Sequence, residues 1–297
     1  MDVAITGSSG LVGTALANAL HARGDRVIPV VRGSGLGLRW DPMAGVIDGA
    51  GFEGIDAVVH LAGEGIGEKK WTDEQKRKIR DSRVRGTNLL AGALAGLTRP
   101  PGVFVSGSAI GWYGDRGDER LTESSGPGPA GDFLVDVCLA WEAATAAAAD
   151  AGIRTVHVRT GIVLSADDGA LARMLTPFKL GLGGRIGSGR QYMSWISLAD
   201  EVGAILHALD TPGLAGPVNM TAPTPVTNAA FTATLGHALH RPTKLPTPLL
   251  PLKIVYGAEL VQHLLLNGAC VLPERLQSSG YVFAHPTLDA ALTAILT

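Results

Sequence analysis

Near the start of the chain, Thr6-Gly7-Ser8-Ser9-Gly10-Leu11-Val12-Gly13 follows a β-branched run and opens a stretch with apolar residues at helical spacing. That placement makes it a dinucleotide phosphate loop. Gly7 permits the tight turn, Gly10 lets backbone N–H groups approach a pyrophosphate, and Gly13 allows close packing of helix on strand. The helix start adds a partial positive charge. At the end of the second β-branched run the chain reads Val30-Val31-Arg32-Gly33. A carboxylate there would hold the ribose diol of NAD(H) and repel a 2′-phosphate, whereas a cation would attract one, so Arg32 favours NADP(H). The alternative is a solvated arginine, common at strand ends. His60 lies in an apolar run, as a satisfied core or cofactor-adjacent histidine would. Ser197-Leu198-Ala199-Asp200 has the form of a helix cap. Arg159, Arg185 and Arg190 are candidates to hold an anionic substrate.

The elements that must carry these residues alternate short strands with helices, the pattern of a Rossmann-type, doubly wound α/β sheet covered on both faces. Strands are expected at Val3–Thr6, Arg26–Val31, Ala57–Leu61, Val103–Ser106 and Thr155–Val158. Helices are expected at Leu11–Arg23, ended by Gly24, at Trp71–Gly96, and at Phe133–Ala151, opened by Asp132. The pattern implies a nucleotide-binding domain over 1–164. Beyond Leu164 a smaller substrate-side region, 165–297, carries helices near Leu198–Leu209, Ala229–Leu239, Leu252–Leu266 and Leu288–Leu296, with room for strands returning to the sheet.

With 297 residues the chain can bury a large core unaided, and its 25 basic and 27 acidic residues leave no electrostatic footprint for nucleic acid or an anionic membrane. A small-molecule partner is expected. Cys138 and Cys270 each lie in apolar stretches and read as packed thiols, so no metal or disulfide motif is indicated. The apolar stretch Leu249–Leu266 is broken by Pro251, Lys253, Glu259, Gln262 and His263, which suits a buried amphipathic helix better than a membrane span of about 20 apolar residues. The chain opens directly on a strand, so a cytoplasmic location is expected.

Thr6 to Gly13, together with Asp56-Ala57-Val58-Val59-His60-Leu61-Ala62-Gly63, resembles the extended short-chain dehydrogenase/reductases. Ser82-Arg83, Ser108 to Gly114, Trp141-Glu142-Ala143-Ala144, Gly181 to Gly184, Ile186 to Gly189, Trp195-Ile196 and Val271 to Leu276 narrow the likeness. They resemble the atypical subgroup of epimerase family proteins, which are similar to NAD-dependent epimerases and dehydratases and carry a characteristic C-terminal segment. Asn267-Gly268-Ala269-Cys270 departs from the polar lead-in usual there. The resemblance implies that Gly7, Leu11 and Val12, with Ser9 and Gly10 between them, line the pyrophosphate, and that Leu61 and Ala62 run along the cofactor. It also implies that Arg83 and Lys78 face the cofactor, although a run of helical charges is equally a solvated face.

Ordinary members of that superfamily use a tyrosine as general acid/base, a lysine four residues later that lowers its pKa, and an upstream hydroxyl. Here the window reads Asp132-Phe133-Leu134-Val135-Asp136-Val137-Cys138, and neither tyrosine nor lysine occurs between Tyr113 and Lys179. The usual relay is therefore absent. Ser106 and Ser108 remain as hydroxyls, and Ser108 and Tyr113 are the catalytic candidates. Tyr113 reads equally as an aromatic wall, and Glu142 as a partner of backbone or a cation. Two functions are open: an NADP(H)-dependent oxidoreductase or epimerase-like enzyme with a nonstandard proton relay, or a noncatalytic NADP(H)-binding regulator.

Overall fold

Runs of β-branched residues buried on both faces belong in the middle of a parallel sheet. In the computed structural model, which describes residues 1–33 and 35–297, they form one. Its strands are β1 (Asp2–Thr6), β2 (Arg26–Val31), β3 (Leu38–Asp41), β4 (Val46–Ile47), β5 (Ala57–His60), β6 (Val103–Ala109), β7 (Arg154–Thr160) and β8 (Gly216–Met220). They lie in the order β8-β7-β6-β5-β1-β2-β3-β4, and every pairing is parallel except β3 with β4. The order reverses between β1 and β5. In an open α/β sheet the crevice beyond the strand ends at such a reversal is where ligands bind.

The helices are α1 (Leu11–Arg23), α2 (Asp73–Ala95), α3 (Phe133–Ala143), α4 (Ala146–Asp150), α5 (Gly169–Lys179), α6 (Leu198–Asp210), α7 (Asn228–Ala238), α8 (Leu249–Tyr256), α9 (Ala258–Val261), α10 (Glu274–Ser278) and α11 (Leu288–Leu296). Side chains alternate across β1, so Val3 and Ile5 meet Leu16 and Leu20 of α1 and Ile205 of α6, whereas Ala4 meets the layer of Leu90 and Leu94 of α2. Three layers result. Beyond the sheet, Phe178 of α5, Phe231 and Leu235 of α7, and Leu288 and Leu292 of α11 build a separate core around Trp195. The chain after residue 164 thus contributes β8 to the sheet edge and α6 to its face as well as this outer body.

Several expected elements differ for identifiable reasons. The helix expected over Phe133–Ala151 divides after Ala143. There the Thr145 hydroxyl donates to the Glu142 carbonyl at 2.8 Å, competing with the helical ladder. The helix expected over Leu252–Leu266 breaks at Gly257, whose φ of +90° leaves the helical region, and ends in a π-turn over Gln262–Leu266. β8 escaped the periodicity because its sequence, Gly-Pro-Val-Asn-Met, contains a proline, which only an edge strand tolerates well.

Candidate functional site

The turn after β1 and the turn after β5 touch across the strand reversal. Gly7 has φ +70°, and a Cβ there would lie 2.9 Å from Leu61 C and Ala62 N. A Cβ at Gly13 would collide with the Gly7 carbonyl, so this glycine serves packing. Gly10 is different. Its φ of −80° and ψ of 171° suit any residue, and a Cβ would meet only the Gly7 oxygen, at 3.4 Å. The other long helices α2, α3, α5, α6, α7 and α11 each have a side-chain N-cap, but α1 has none. The N–H groups of Leu11 and Val12 have no acceptor among the described residues. A bare helix start facing open space fits a pyrophosphate.

This space is a cavity of about 480 Å³, lined among others by Ser9, Gly10, Arg32, Trp40, Leu61 and Ala62. Thr6 and His60, both fully buried, hold its Leu61–Ala62 edge from behind. The Thr6 hydroxyl accepts from the N–H groups of Leu61 (3.1 Å) and Ala62 (3.2 Å) and lies 2.6 Å from His60 Nδ1. With both lone pairs engaged, Thr6 donates to Nδ1, so Nε2 carries the ring proton and gives it to Thr87 Oγ1 at 3.0 Å. Burial pulls the His60 pKa down to about 3, which leaves it a neutral clamp, as its apolar setting suggests. Arg32 is exposed at the mouth, with no carboxylate within 4.0 Å among the described residues. Glu64 also lines this cavity; the hydrogen bond from Gln75, then Lys69, keep its carboxyl below the usual range. Lys78 lines neither cavity: its ammonium lies on the exposed side of α2, 2.6 Å from Glu74.

A second cavity, of about 330 Å³, opens past the ends of β6 and β7. Ser82 lines the first and its neighbour Arg83 the second, so both cavities border α2. Arg83 donates from Nη1 to the carbonyls of Glu64 (2.9 Å) and Ile79 (3.1 Å), and its guanidinium lies 4.9 Å from the Trp141 ring centre. No carboxylate pairs with it among the described residues, and burial lowers its pKa. An arginine nevertheless stays charged. This is a cation available to an anionic or carbonyl oxygen.

Ser108 lines the same cavity, and its hydroxyl donates to Glu142 Oε1 at 2.7 Å. Arg159 grips that carboxylate with Nε at 2.7 Å and Nη2 at 2.8 Å, and stacks 3.6 Å from the Trp112 ring centre. Arg159 is therefore a structural partner of Glu142, the role expected of Glu142, and is not free to hold a substrate. The expectation that Tyr113 faces substrate is corrected by its burial. Tyr113 is fully buried, and its hydroxyl is surrounded by Asn219 Oδ1 (2.7 Å), Arg159 Nη1 (3.0 Å) and the Thr122 carbonyl (3.1 Å). Burial raises its pKa further. Ser106 is also fully buried and lines neither cavity.

Where the usual relay would stand, α3 presents Leu134, Val137, Cys138 and Trp141 to the cavity. The Cys138 thiol, pushed up to about 12 by burial, is inert. Asp200 accepts from Ser197, Tyr281 and the N–H groups of Ala284 and His285, so it latches the C-terminal segment. Arg185 and Arg190 line neither cavity. Sequence reasoning missed Tyr192 and His263, which line the second cavity, and read Asp132, which lines it too, only as a helix cap. No local pattern marks them, because only tertiary packing brings them to the cavity that Ser108 lines.

Comparison with known proteins fits this geometry. Residues 3–220 match the NAD dependent epimerase/dehydratase family, and residues 247–295 match a domain of unknown function, DUF1731. Epimerase family protein Mb2239 of Mycobacterium bovis is 43% identical over 293 residues, which cover 98% of this chain and 96% of that one. Epimerase family protein SDR39U1 of Homo sapiens is 38% identical over 299 residues, covering 100% of both. A crystal structure of the human protein with NADPH superposes with a TM-score of 0.91 at 37% identity, over 99% of each chain. A two-turn crevice at the strand reversal and a matching sequence along nearly its whole length place this chain in the NAD dependent epimerase/dehydratase family.

Proposed function

We propose that this chain is an NADP(H)-dependent oxidoreductase or epimerase-like enzyme acting on a small carbonyl or alcohol without the usual tyrosine–lysine relay. The observation that carries the reading is a pair of cavities that both border α2, one at an uncapped glycine-rich helix start, the other at Ser108. Leu11 and Val12 supply N–H groups to the pyrophosphate, Arg32 a cation to the 2′-phosphate, and Leu61 and Ala62 a backbone floor. The NADPH in the human relative supports the same choice of cofactor. When bound, the cofactor supplies or accepts a hydride at the substrate carbon. Ser108, whose proton is engaged by Glu142, presents lone pairs to an alcohol, and Arg83 offers N–H groups to a carbonyl oxygen.

Calorimetry with NADPH followed by a screen of aldehydes and ketones, read at the NADPH absorbance, tests this. Binding with turnover of at least one compound is expected; no binding would refute the reading. The apolar face of α3 at the relay position supports a second reading, a noncatalytic NADP(H)-binding regulator. Tight binding without hydride exchange across the whole screen would favour that one.

A further inference from the structure

The second cavity needs a group that can give a proton to a substrate oxygen, and most of its polar residues do not suit. Ser108 is committed to Glu142, Arg83 does not release protons, and the Cys138 thiol is held far above neutrality. Asp115 accepts the Gly268 N–H at 3.2 Å, and the Tyr192 hydroxyl has no hydrogen-bond partner among the described residues to assist a transfer. His263 remains. Its Nδ1 lies 3.4 Å from Asp132 Oδ2. The other Asp132 oxygen is pinned by the N–H groups of Leu134 (2.9 Å) and Val135 (3.2 Å), so the carboxylate cannot turn away.

The ring itself is fixed. It packs against Trp71 with centres 5.6 Å apart. Its turn is closed by Asn267 N–H to the Gln262 carbonyl at 2.8 Å and by Gln262 Nε2 to Asn267 Oδ1 at 2.7 Å. Nε2 has no protein partner among the described residues. One nitrogen thus lies at ion-pair distance from a carboxylate and the other has no partner, at the start of α3 where the missing tyrosine would be sought.

We propose that His263, positioned by Asp132, is the proton donor and acceptor for the substrate oxygen in this cavity. This rests on the oxidoreductase reading above. In reduction of a ketone or aldehyde, the C=O π bond breaks, its carbon gains a hydride from NADPH, and its oxygen gains the Nε2 proton of protonated His263. The products are the alcohol, NADP+ and neutral His263, which regains its proton from water. Oxidation runs the same transfers backwards. The charged groups that line the cavity with the ring are Asp132, which caps α3, Asp115 after β6 and Arg83 on α2; on α9, Glu259 is met by Lys76 of α2 at 3.1 Å.

Histidine-labelled protein studied by NMR tests this before any substrate is known. His263→Gln identifies the resonance, and the titration midpoint is read in complexes with NADPH and with NADP+. A ring beside the reacting carbon feels the positive charge of NADP+, so the midpoint should lie lower there than with NADPH by about half a unit or more. Asp132→Asn, which preserves helix capping, should lower kcat with a reducible aldehyde or ketone about tenfold by removing the carboxylate beside the ring, with NADPH affinity unchanged. Equal midpoints with the two cofactor forms, or an unchanged kcat in Asp132→Asn, would overturn the proposal. Calorimetry on the same sample separates a failure of cofactor binding, which would remove the oxidoreductase reading and this proposal with it. With a reducible aldehyde or ketone, His263→Gln should lower kcat about 10²-fold and erase its pH limb without weakening NADPH binding. Retention of that limb in His263→Gln, with its loss in Tyr192→Phe, would assign the role to Tyr192 instead.

Discussion

Gly10 and Gly13 share one motif, yet the structure gives them different tasks, and substituting each with valine separates the two. At Gly10 the backbone is in an ordinary region and a Cβ approaches only the Gly7 oxygen, at 3.4 Å, so Gly10→Val leaves the fold nearly unchanged. The new side chain enters the cavity in which we place the pyrophosphate. If it displaces the phosphates from the N–H groups of Leu11 and Val12, two charge-assisted hydrogen bonds are lost, each worth about 1.5–3 kcal/mol. The sum, about 3–6 kcal/mol, corresponds to a loss of NADPH affinity of about 10²-fold or more. At Gly13 the Cβ runs into the Gly7 carbonyl, so Gly13→Val should cost stability first, by about 1–3 kcal/mol of overpacking. Calorimetry with NADPH beside urea unfolding of both variants reads the two effects. A folded Gly10→Val protein that binds NADPH within a few-fold of the parent would refute the placement of the pyrophosphate.

Arg32→Ala should weaken NADPH binding about tenfold or more and leave NADH binding nearly unchanged, since only the 2′-phosphate contact is removed; parallel calorimetric titrations would expose an equal loss for both as a contradiction. Ser108→Ala should lower turnover of any substrate found by about 10²-fold if its contact strengthens in the transition state, and unchanged kcat and KM would remove Ser108 from the site. Glu201 is buried behind Thr160, whose hydroxyl lies 2.8 Å from Oε1, and burial raises its pKa to about 8. The folded state therefore keeps a proton that the unfolded state loses above the ordinary carboxylate pKa. Stability should fall as pH rises from about 5 to 8, and Glu201→Gln should flatten that slope and stabilise the protein near pH 8 by up to a few kcal/mol; identical slopes in thermal unfolding would count against it.

What the sequence determined by itself is what lies within one strand–turn–helix unit. The glycine turn that opens α1, the Gly24 helix stop and the Asp132 and Ser197 caps depend on neighbours a few residues away, so pattern and structure agree there. Arg32 follows β2 directly, and the parallel pairing of β1 with β2 carries it to the cavity mouth. Tertiary structure decided which side chains face the cavities. Lys78 and Arg83 stand five positions apart, about 140° around an ideal helix, so one pairs with Glu74 near solvent while the other lines the site. Ser108 and Tyr113 are as close in sequence, but the 3₁₀ turn at Ile110–Tyr113 sends the tyrosine into the core against Asn219 of β8. His263 and Asp132 lie far apart along the chain, and only the packing of the C-terminal π-turn against the start of α3 brings a carboxylate and an imidazole together. Local periodicity records which face of an element is apolar, but not which polar side chains from distant elements meet.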